Sequence, residues 1–143
     1  MPRSSVHPAK PLFLDISSKG SAMSFLKTLL SLFTCGNQAD RLPSVSFKEA
    51  LAAKPYPILL DVRTASEFKS GAIKGARNLD VTSSGFAKGI ESLAKDKTYL
   101  LYCRSSHRSG MALAQMKAKG FADVRHLAGG ISAWQAAGYP VTR

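Results

Sequence analysis

The chain has 143 residues, of which 45% are hydrophobic and 20% are charged, and its formal net charge at pH 7 is +11. This size and balance are typical of one globular domain with its own core, and no apolar run approaches the roughly 20 residues that span a bilayer. Because the lysines are scattered over many separate segments and not gathered into a run with aromatics, we predict no nucleic-acid binding.

Residues 1–41 are predicted to precede the folded domain as a disordered or amphipathic segment. Within them, residues 24–33 place apolar side chains on one side of a helix and polar side chains on the other. Three interpretations fit this pattern: a helix packed on the domain, a helix in contact with a membrane, or the core of a signal peptide that starts at Met23. The location would be periplasmic with such a signal peptide and cytoplasmic without it. Cys35 also lies in this segment and is expected to be a bystander, with a resolving thiol as the alternative.

The folded domain is predicted to span residues 42–143, where short apolar strands alternate with helices. The patterns predict strands at 58–62, 76–79, 99–102 and 124–127, and helices at 47–53, after Thr64, at 86–94, from about Met111 to Gly120, and at 131–137. Capping boxes are predicted for the first two helices, at Ser46 with Glu49 and at Thr64 with Glu67. This alternation predicts an α/β fold whose largely parallel central sheet carries helices on both faces.

Cys103 directly follows the predicted strand 99–102, at the sheet edge where parallel α/β folds place their sites. The six residues after it lead into a helix and contain no core-forming side chain: Arg104, Ser105, Ser106, His107, Arg108 and Ser109. Their backbone N–H groups and the helix N-terminus can form an anion cradle around the sulfur. Such surroundings favour the reactive thiolate, whereas a core cysteine acts as a small hydrophobe.

We therefore predict that Cys103 is the catalytic nucleophile and that residues 104–109 bind its anionic substrate. Arg104 and Arg108, with His107 when it is protonated, would add positive charge at the rim. The two cysteines and three histidines of the chain lack the paired spacing of metal ligands, so we expect neither a metal nor a cofactor.

Four separated motifs carry a resemblance to a known family. They are Leu59-Leu60-Asp61-Val62-Arg63 with Glu67-Phe68, Gly71-Ala72-Ile73-Lys74-Gly75-Ala76 with Asn78-Leu79, Leu101-Tyr102-Cys103 through Ser109-Gly110, and Leu127-Ala128-Gly129-Gly130-Ile131 with Trp134 and Gly138-Tyr139-Pro140-Val141. In their order and spacing, over residues 44–141, they resemble the single-domain rhodanese-like sulfurtransferases.

The resemblance implies a rhodanese-like fold and a sulfurtransferase. Cys103 would take sulfane sulfur from thiosulfate or a similar small donor as a persulfide and pass it to cyanide or a thiol, including a thiol on a protein. Asp61 and Arg63 resemble buried polar support beneath the loop, with Arg63 paired to Asp61 or Glu67. No histidine is expected as a partner of Cys103.

Two positions depart from the family pattern. Ala72 stands where many relatives carry histidine, and that position is expected to be structural. Ser106 stands where glycine is common, so a positive φ there would be strained. His126 is expected to be an ordinary strand residue.

Two other functions are weighed against the sulfurtransferase. Phosphatases built on the same scaffold have one more residue between cysteine and arginine, whereas four residues separate Cys103 from Arg108 here. Tyr102 also stands where those phosphatases carry histidine, so a phosphatase is disfavoured. A non-enzymatic sulfur carrier, which receives sulfur from a partner protein, stays open as the alternative.

Overall fold

The computed structural model describes residues 38–143. The predicted amphipathic helix at 24–33, the candidate start at Met23 and Cys35 lie outside the described residues. A 3-10 turn at Gln38–Asp40 leads directly into the first strand, which therefore crosses the predicted domain boundary at residue 42. No helix of residues 38–143 combines the length and the apolar character needed to cross a bilayer.

Five strands and five α-helices alternate along residues 38–143. The strands are β1 Arg41–Leu42, β2 Ile58–Asp61, β3 Arg77–Asn78, β4 Thr98–Tyr102 and β5 Asp123–Leu127. The helices are α1 Ser44–Ala52, α2 Ala65–Ser70, α3 Phe86–Glu91, α4 His107–Ala118 and α5 Gly130–Ala136. The strands form one sheet in the order β1-β5-β4-β2-β3, and each neighbouring pair is parallel. The predicted α/β fold with a parallel sheet is confirmed.

Apolar clusters cover both faces of the sheet. Because successive side chains of a strand point to opposite faces, Tyr99 and Leu101 of β4 join one cluster, and Leu100 and Tyr102 join the other. The first cluster packs against α3 and α4, and the second against α1 and α5. All four of these β4 side chains are 0% exposed, which fixes the strand end from which Cys103 follows.

The two predicted capping boxes have different outcomes. The box at Thr64 is confirmed, because the Glu67 N–H donates to the Thr64 hydroxyl and the Thr64 N–H donates to the Glu67 carboxylate. The box at Ser46 is wrong, since α1 already begins at Ser44 and has no side-chain cap. Its first turn closes when the Phe47 N–H donates to the Pro43 carbonyl at 2.9 Å, so the extended Pro43 sets the start of the helix.

Helix α4 begins at His107, ahead of the apolar run from Met111 that predicts it. Its first turn is formed by the cysteine loop itself, so residues that look like loop in the sequence already present helical N–H groups. The helix ends at Ala118 and is followed by Gly120 with φ 88°, which confirms the predicted left-handed end.

Candidate active site

The sulfur of Cys103 lies inside a tight turn between β4 and α4. Cys103 is 1% exposed, and the Ser106 N–H donates to its Sγ at 3.1 Å. Ser106 has φ 94° and ψ −17°, so the positive φ anticipated from the family's glycine occurs here on a serine. Such a conformation costs a non-glycine residue on the order of 1 kcal/mol. This backbone conformation directs the Ser106 N–H toward the sulfur.

The N-terminus of α5 holds the carbonyl groups of this loop. The Ile131 N–H donates to the Cys103 carbonyl at 2.8 Å, and the Ser132 N–H donates to the Arg104 carbonyl at 3.3 Å. These bonds satisfy donors that a helix N-terminus otherwise leaves unpaired. The bonds from α5 hold the cysteine loop in the conformation in which the Ser106 N–H reaches the sulfur.

Gly130 makes this contact possible. It has φ 61°, and a Cβ at this position would lie 2.4 Å from the Cys103 and Arg104 carbonyl oxygens. Only glycine lets the two backbones approach so closely. The sequence interpretation of Gly129-Gly130 as a simple turn missed this role, although paired glycines between a strand and a helix are a signal of close backbone approach.

Ser109 joins the sulfur to a histidine on the neighbouring strand. Its side chain is 0% exposed, and its Oγ lies 3.5 Å from Cys103 Sγ, 3.1 Å from the Ser106 carbonyl oxygen and 3.0 Å from His126 Nδ1. His126, which the sequence suggested was an ordinary strand residue, thus contacts the site through Ser109. No spacing in the chain indicates this link, because it depends on the pairing of β5 with β4.

Arg108 forms a bidentate ion pair with Glu67 of α2. Its Nη1 and Nη2 donate to the two carboxylate oxygens at 2.7 and 2.8 Å. The Arg108 hydrogen bonds, opposed by burial and helped by Thr64, lower the pKa of Glu67 from 4.5 to about 2. The same bonds raise the pKa of Arg108. Glu67 therefore offsets much of the positive charge that Arg108 brings to the rim.

Asp61 and Arg63 form a buried ion pair at the end of β2. Arg63 Nη2 donates to Asp61 Oδ2 at 2.6 Å and to the Gly71 carbonyl at 2.6 Å. Of the two partners predicted for Arg63, the structure selects Asp61. The guanidinium also lies over the Tyr102 ring, 5.6 Å from its centroid. The pair thus supports the residue that precedes Cys103 and does not touch the sulfur.

The geometry resembles what the motifs suggested, and comparison with known proteins decides the family. A family model described as "Rhodanese-like domain" matches residues 45–137, which is well over half of the chain. The chain belongs to the rhodanese-like family.

Similar proteins come from several organisms. The probable adenylyltransferase/sulfurtransferase MoeZ of Mycobacterium tuberculosis is 41% identical over 76 residues, which are 53% of this chain and 19% of MoeZ. The chain therefore spans about a fifth of the length of that relative. The thiosulfate sulfurtransferase GlpE of Pseudomonas putida is 33% identical over 73% of this chain and 91% of its own length. A rhodanese-related crystal structure from Thermoplasma volcanium has a TM-score of 0.63 at 27% identity, covering 71% of this chain and 96% of its own.

In this rhodanese-like domain the predicted site residues take three different positions. Ser106 and Ser109 contact the sulfur, whereas Arg108 is held by Glu67. Arg104, Ser105 and His107 are exposed at the rim. Arg104 takes part in none of the five ion pairs formed within residues 38–143, so its charge is available to an anion there. Within those residues, no cluster of three or more His, Cys, Asp or Glu is arranged to hold a metal ion.

Proposed function

We propose that this rhodanese-like protein is a sulfurtransferase that carries sulfane sulfur as a persulfide on Cys103. The observation that carries the proposal is the Ser106 N–H, which donates to the buried Cys103 Sγ at 3.1 Å. A hydrogen bond to an ionised acceptor is roughly twice as strong as one to a neutral acceptor, so this donor favours the sulfur anion over the thiol. The same donor would favour the anionic persulfide that forms later.

The proposed first step uses thiosulfate as donor. The Cys103 thiolate attacks the outer sulfur of thiosulfate, and a new S–S bond forms as the bond to the sulfonate sulfur breaks. The electron pair of the broken bond leaves with sulfite, and Cys103 keeps a persulfide anion. In the second step, cyanide or a thiolate attacks the terminal sulfur, and the Cys103 thiolate returns. The two steps balance without an oxidant or a reductant.

Two further observations support a small anionic donor. The exposed Arg104 presents its charge at the mouth of the loop. Among the relatives, GlpE is named as a thiosulfate sulfurtransferase, and this chain spans 91% of its length.

The loop also has the four-residue spacing between Cys103 and Arg108 that disfavours a phosphatase.

A sulfur carrier is the second candidate, and the ion pair of Arg108 with Glu67 favours it. Because the carboxylate offsets the arginine charge, the rim attracts a free dianion less strongly than two unpaired arginines would. A donor persulfide presented by a partner protein needs less of that attraction. In this case Cys103 would receive sulfur by the same attack, with a protein thiolate as the leaving group.

Thiocyanate formation from thiosulfate and cyanide tests the proposal on the full chain. We expect turnover by the wild type and by Cys35→Ser, which keeps the proposed nucleophile, and none by Cys103→Ser. Intact mass after exposure to thiosulfate should show one added sulfur atom that cyanide removes. A persulfide without turnover would support the carrier. Failure to take up sulfur from thiosulfate and from a low-molecular-weight persulfide would overturn both candidates.

A further inference from the structure

Ser109 can donate only one hydrogen, yet its hydroxyl oxygen lies within hydrogen-bond distance of three polar groups. The Cys103 thiol donates to it at 3.5 Å, it donates to the Ser106 carbonyl at 3.1 Å, and His126 Nδ1 lies 3.0 Å away, where the direction of the bond depends on the tautomer of the ring. Since Ser109 is 0% exposed, the residues around it decide where that hydrogen points. When Ser109 donates to His126, its lone pairs are free to accept the Cys103 thiol hydrogen. When it donates to the sulfur, His126 Nδ1 must carry a hydrogen of its own.

The pairing of the strands places the His126 ring next to Ser109. His126 of β5 pairs with Leu101 of β4, two residues before Cys103, and with Arg41 of β1 on its other side. Its ring reaches the first turn of α4, where a Cβ on Gly110 would lie 3.7 Å from His126 Cε1. The imidazole thus packs directly against the helix that carries Ser109.

Burial, more than the surrounding charges, keeps the imidazole of His126 neutral. Burial lowers the pKa of His126 from its ordinary value, Arg41 lowers it further, and Asp40 opposes the shift. Asp40 is itself paired with Lys117 of α4. Ser109, the α4 residue that hydrogen-bonds to the ring, is uncharged, and so is Gly110 beside it. A neutral imidazole at pH 7 has one nitrogen free to accept a hydrogen.

We propose that His126 accepts the Cys103 thiol proton through the Ser109 hydroxyl and so sets how readily the thiolate forms. The thiol hydrogen moves to Ser109 Oγ, and the Ser109 hydrogen moves to His126 Nδ1. The product is a thiolate that accepts a hydrogen bond from Ser109, which accepts one from the imidazolium. One proton leaves sulfur and one arrives at nitrogen, so the step balances. His126 is a positioning residue in this scheme, because it acts on the sulfur through Ser109.

The inference concerns the thiolate on which the proposed sulfur transfer rests, but alkylation tests it without any sulfur donor. We would measure the rate of iodoacetamide alkylation from pH 4 to 9 on the full chain carrying Cys35→Ser, in which Cys103 is the one remaining thiol. The variants are His126→Leu, His126→Asn, Ser109→Ala and the Ser109→Ala/His126→Leu pair. Asparagine keeps a hydrogen bond to Ser109 but cannot accept a proton, so it separates proton acceptance from packing.

Both His126 variants should move the midpoint of the rate profile up by about one pH unit, which is roughly a tenfold loss of thiolate at pH values below both midpoints. Ser109→Ala should do the same, and adding His126→Leu to it should change nothing more. A wild-type profile for His126→Leu would overturn the inference, and so would one for His126→Asn, since hydrogen bonding alone would then suffice. An equal further shift in the double variant would show that the coupling bypasses Ser109 and would also overturn it. Circular dichroism identifies any variant that fails to fold, in which case His126→Asn carries the test.

A second readout follows the His126 ring by NMR as the pH is changed. Its titration should shift between the wild type and Cys103→Ser, because only the wild type can form the thiolate–imidazolium pair. Identical titrations would contradict proton acceptance. If the alkylation midpoints shift as expected but the protein transfers no sulfur, the proposed function is wrong and this inference holds. If the protein transfers sulfur but the midpoints do not shift, the proposed function holds and this inference is wrong.

Discussion

Arg108 and Glu67 bind each other through both nitrogens and both oxygens of their charged groups, although they lie 41 positions apart in the chain. The contact joins the first turn of α4, which carries the cysteine loop, to α2. The same carboxylate caps α2 through Thr64. Glu67 therefore connects the start of α2 to the cysteine loop and reduces the net positive charge at the rim of that loop.

Removing Arg108 alone should weaken thiosulfate binding more than removing the pair. Arg108→Ala leaves the Glu67 carboxylate unpaired beside an anion site, so we expect KM for thiosulfate to rise about tenfold. The Arg108→Ala/Glu67→Gln double variant should recover most of that loss. Steady-state thiocyanate formation measures both. Lys69→Ala, which removes an exposed charge from the same helix, is the control. A double variant as weak as Arg108→Ala would mean that Arg108 itself contacts the donor.

The Glu67 ion pair should make stability depend on pH in acid. The pKa of Glu67 is about 2 in the folded protein against an ordinary 4.5, so between these two pH values the unfolded chain binds more protons than the folded protein. The stabilisation is complete above about pH 4.5 and is lost as pH falls toward 2. With 24% and 30% exposure of the two side chains, we expect about 1 to 2 kcal/mol at pH 7 after allowing for screening.

Urea unfolding at pH 7 and pH 3 measures this contribution. Glu67→Gln should be less stable than the wild type at pH 7, and the difference should narrow at pH 3. Glu91→Gln is a suitable comparison, because Glu91 pairs with Lys119 while its side chain is 61% exposed. A Glu67→Gln difference that stays constant between the two pH values would contradict the assignment.

Gly130→Ala should strongly reduce sulfur transfer even where the protein still folds. The new Cβ would lie 2.4 Å from the backbone of Cys103 and Arg104, so the loop must move and the Ser106 N–H loses its hydrogen bond to the sulfur. We expect activity to fall by about a hundredfold or more. Gly138→Ala is the matched control, since Gly138 also has a positive φ (81°) but has open space around it. That variant should cost about 1 kcal/mol of stability and keep its activity.

Ser106 should contribute through its backbone and not through its hydroxyl. Only its N–H donates to the sulfur, so Ser106→Ala should retain nearly full activity. Ser106→Gly relieves the strain at φ 94° and should leave stability unchanged or raise it by up to about 1 kcal/mol. Thermal unfolding and thiocyanate formation test the two statements. A large loss of activity in Ser106→Ala would assign a role to the hydroxyl.

Features encoded in short stretches of sequence were predictable. The apolar run of β4 followed by a polar loop locates Cys103, and Thr64 with Glu67 marks a helix start, because each depends on neighbours along the chain. The start of α1 was misplaced because Ser46 with Glu49 is a valid cap in isolation. The preceding Pro43 had already set the helix start.

Contacts across the sheet could not be predicted in the same way. His126 meets Ser109 because the register places it opposite Leu101, and a shift of one residue would turn its ring to the other face. The ion pair of Glu67 with Arg108 likewise depends on how α2 and α4 pack. Sequence patterns predict which residues are candidates for reactivity, whereas tertiary packing decides which charges offset one another.

The anchoring of the cysteine loop by Ile131 and Ser132 has a consequence for biosynthesis. Cys103 is synthesised before α5, and until α5 docks the carbonyls of the cysteine loop have no helix N-terminus to bind. A nascent or partly unfolded chain without docked α5 therefore lacks two of the hydrogen bonds that hold the turn around the sulfur.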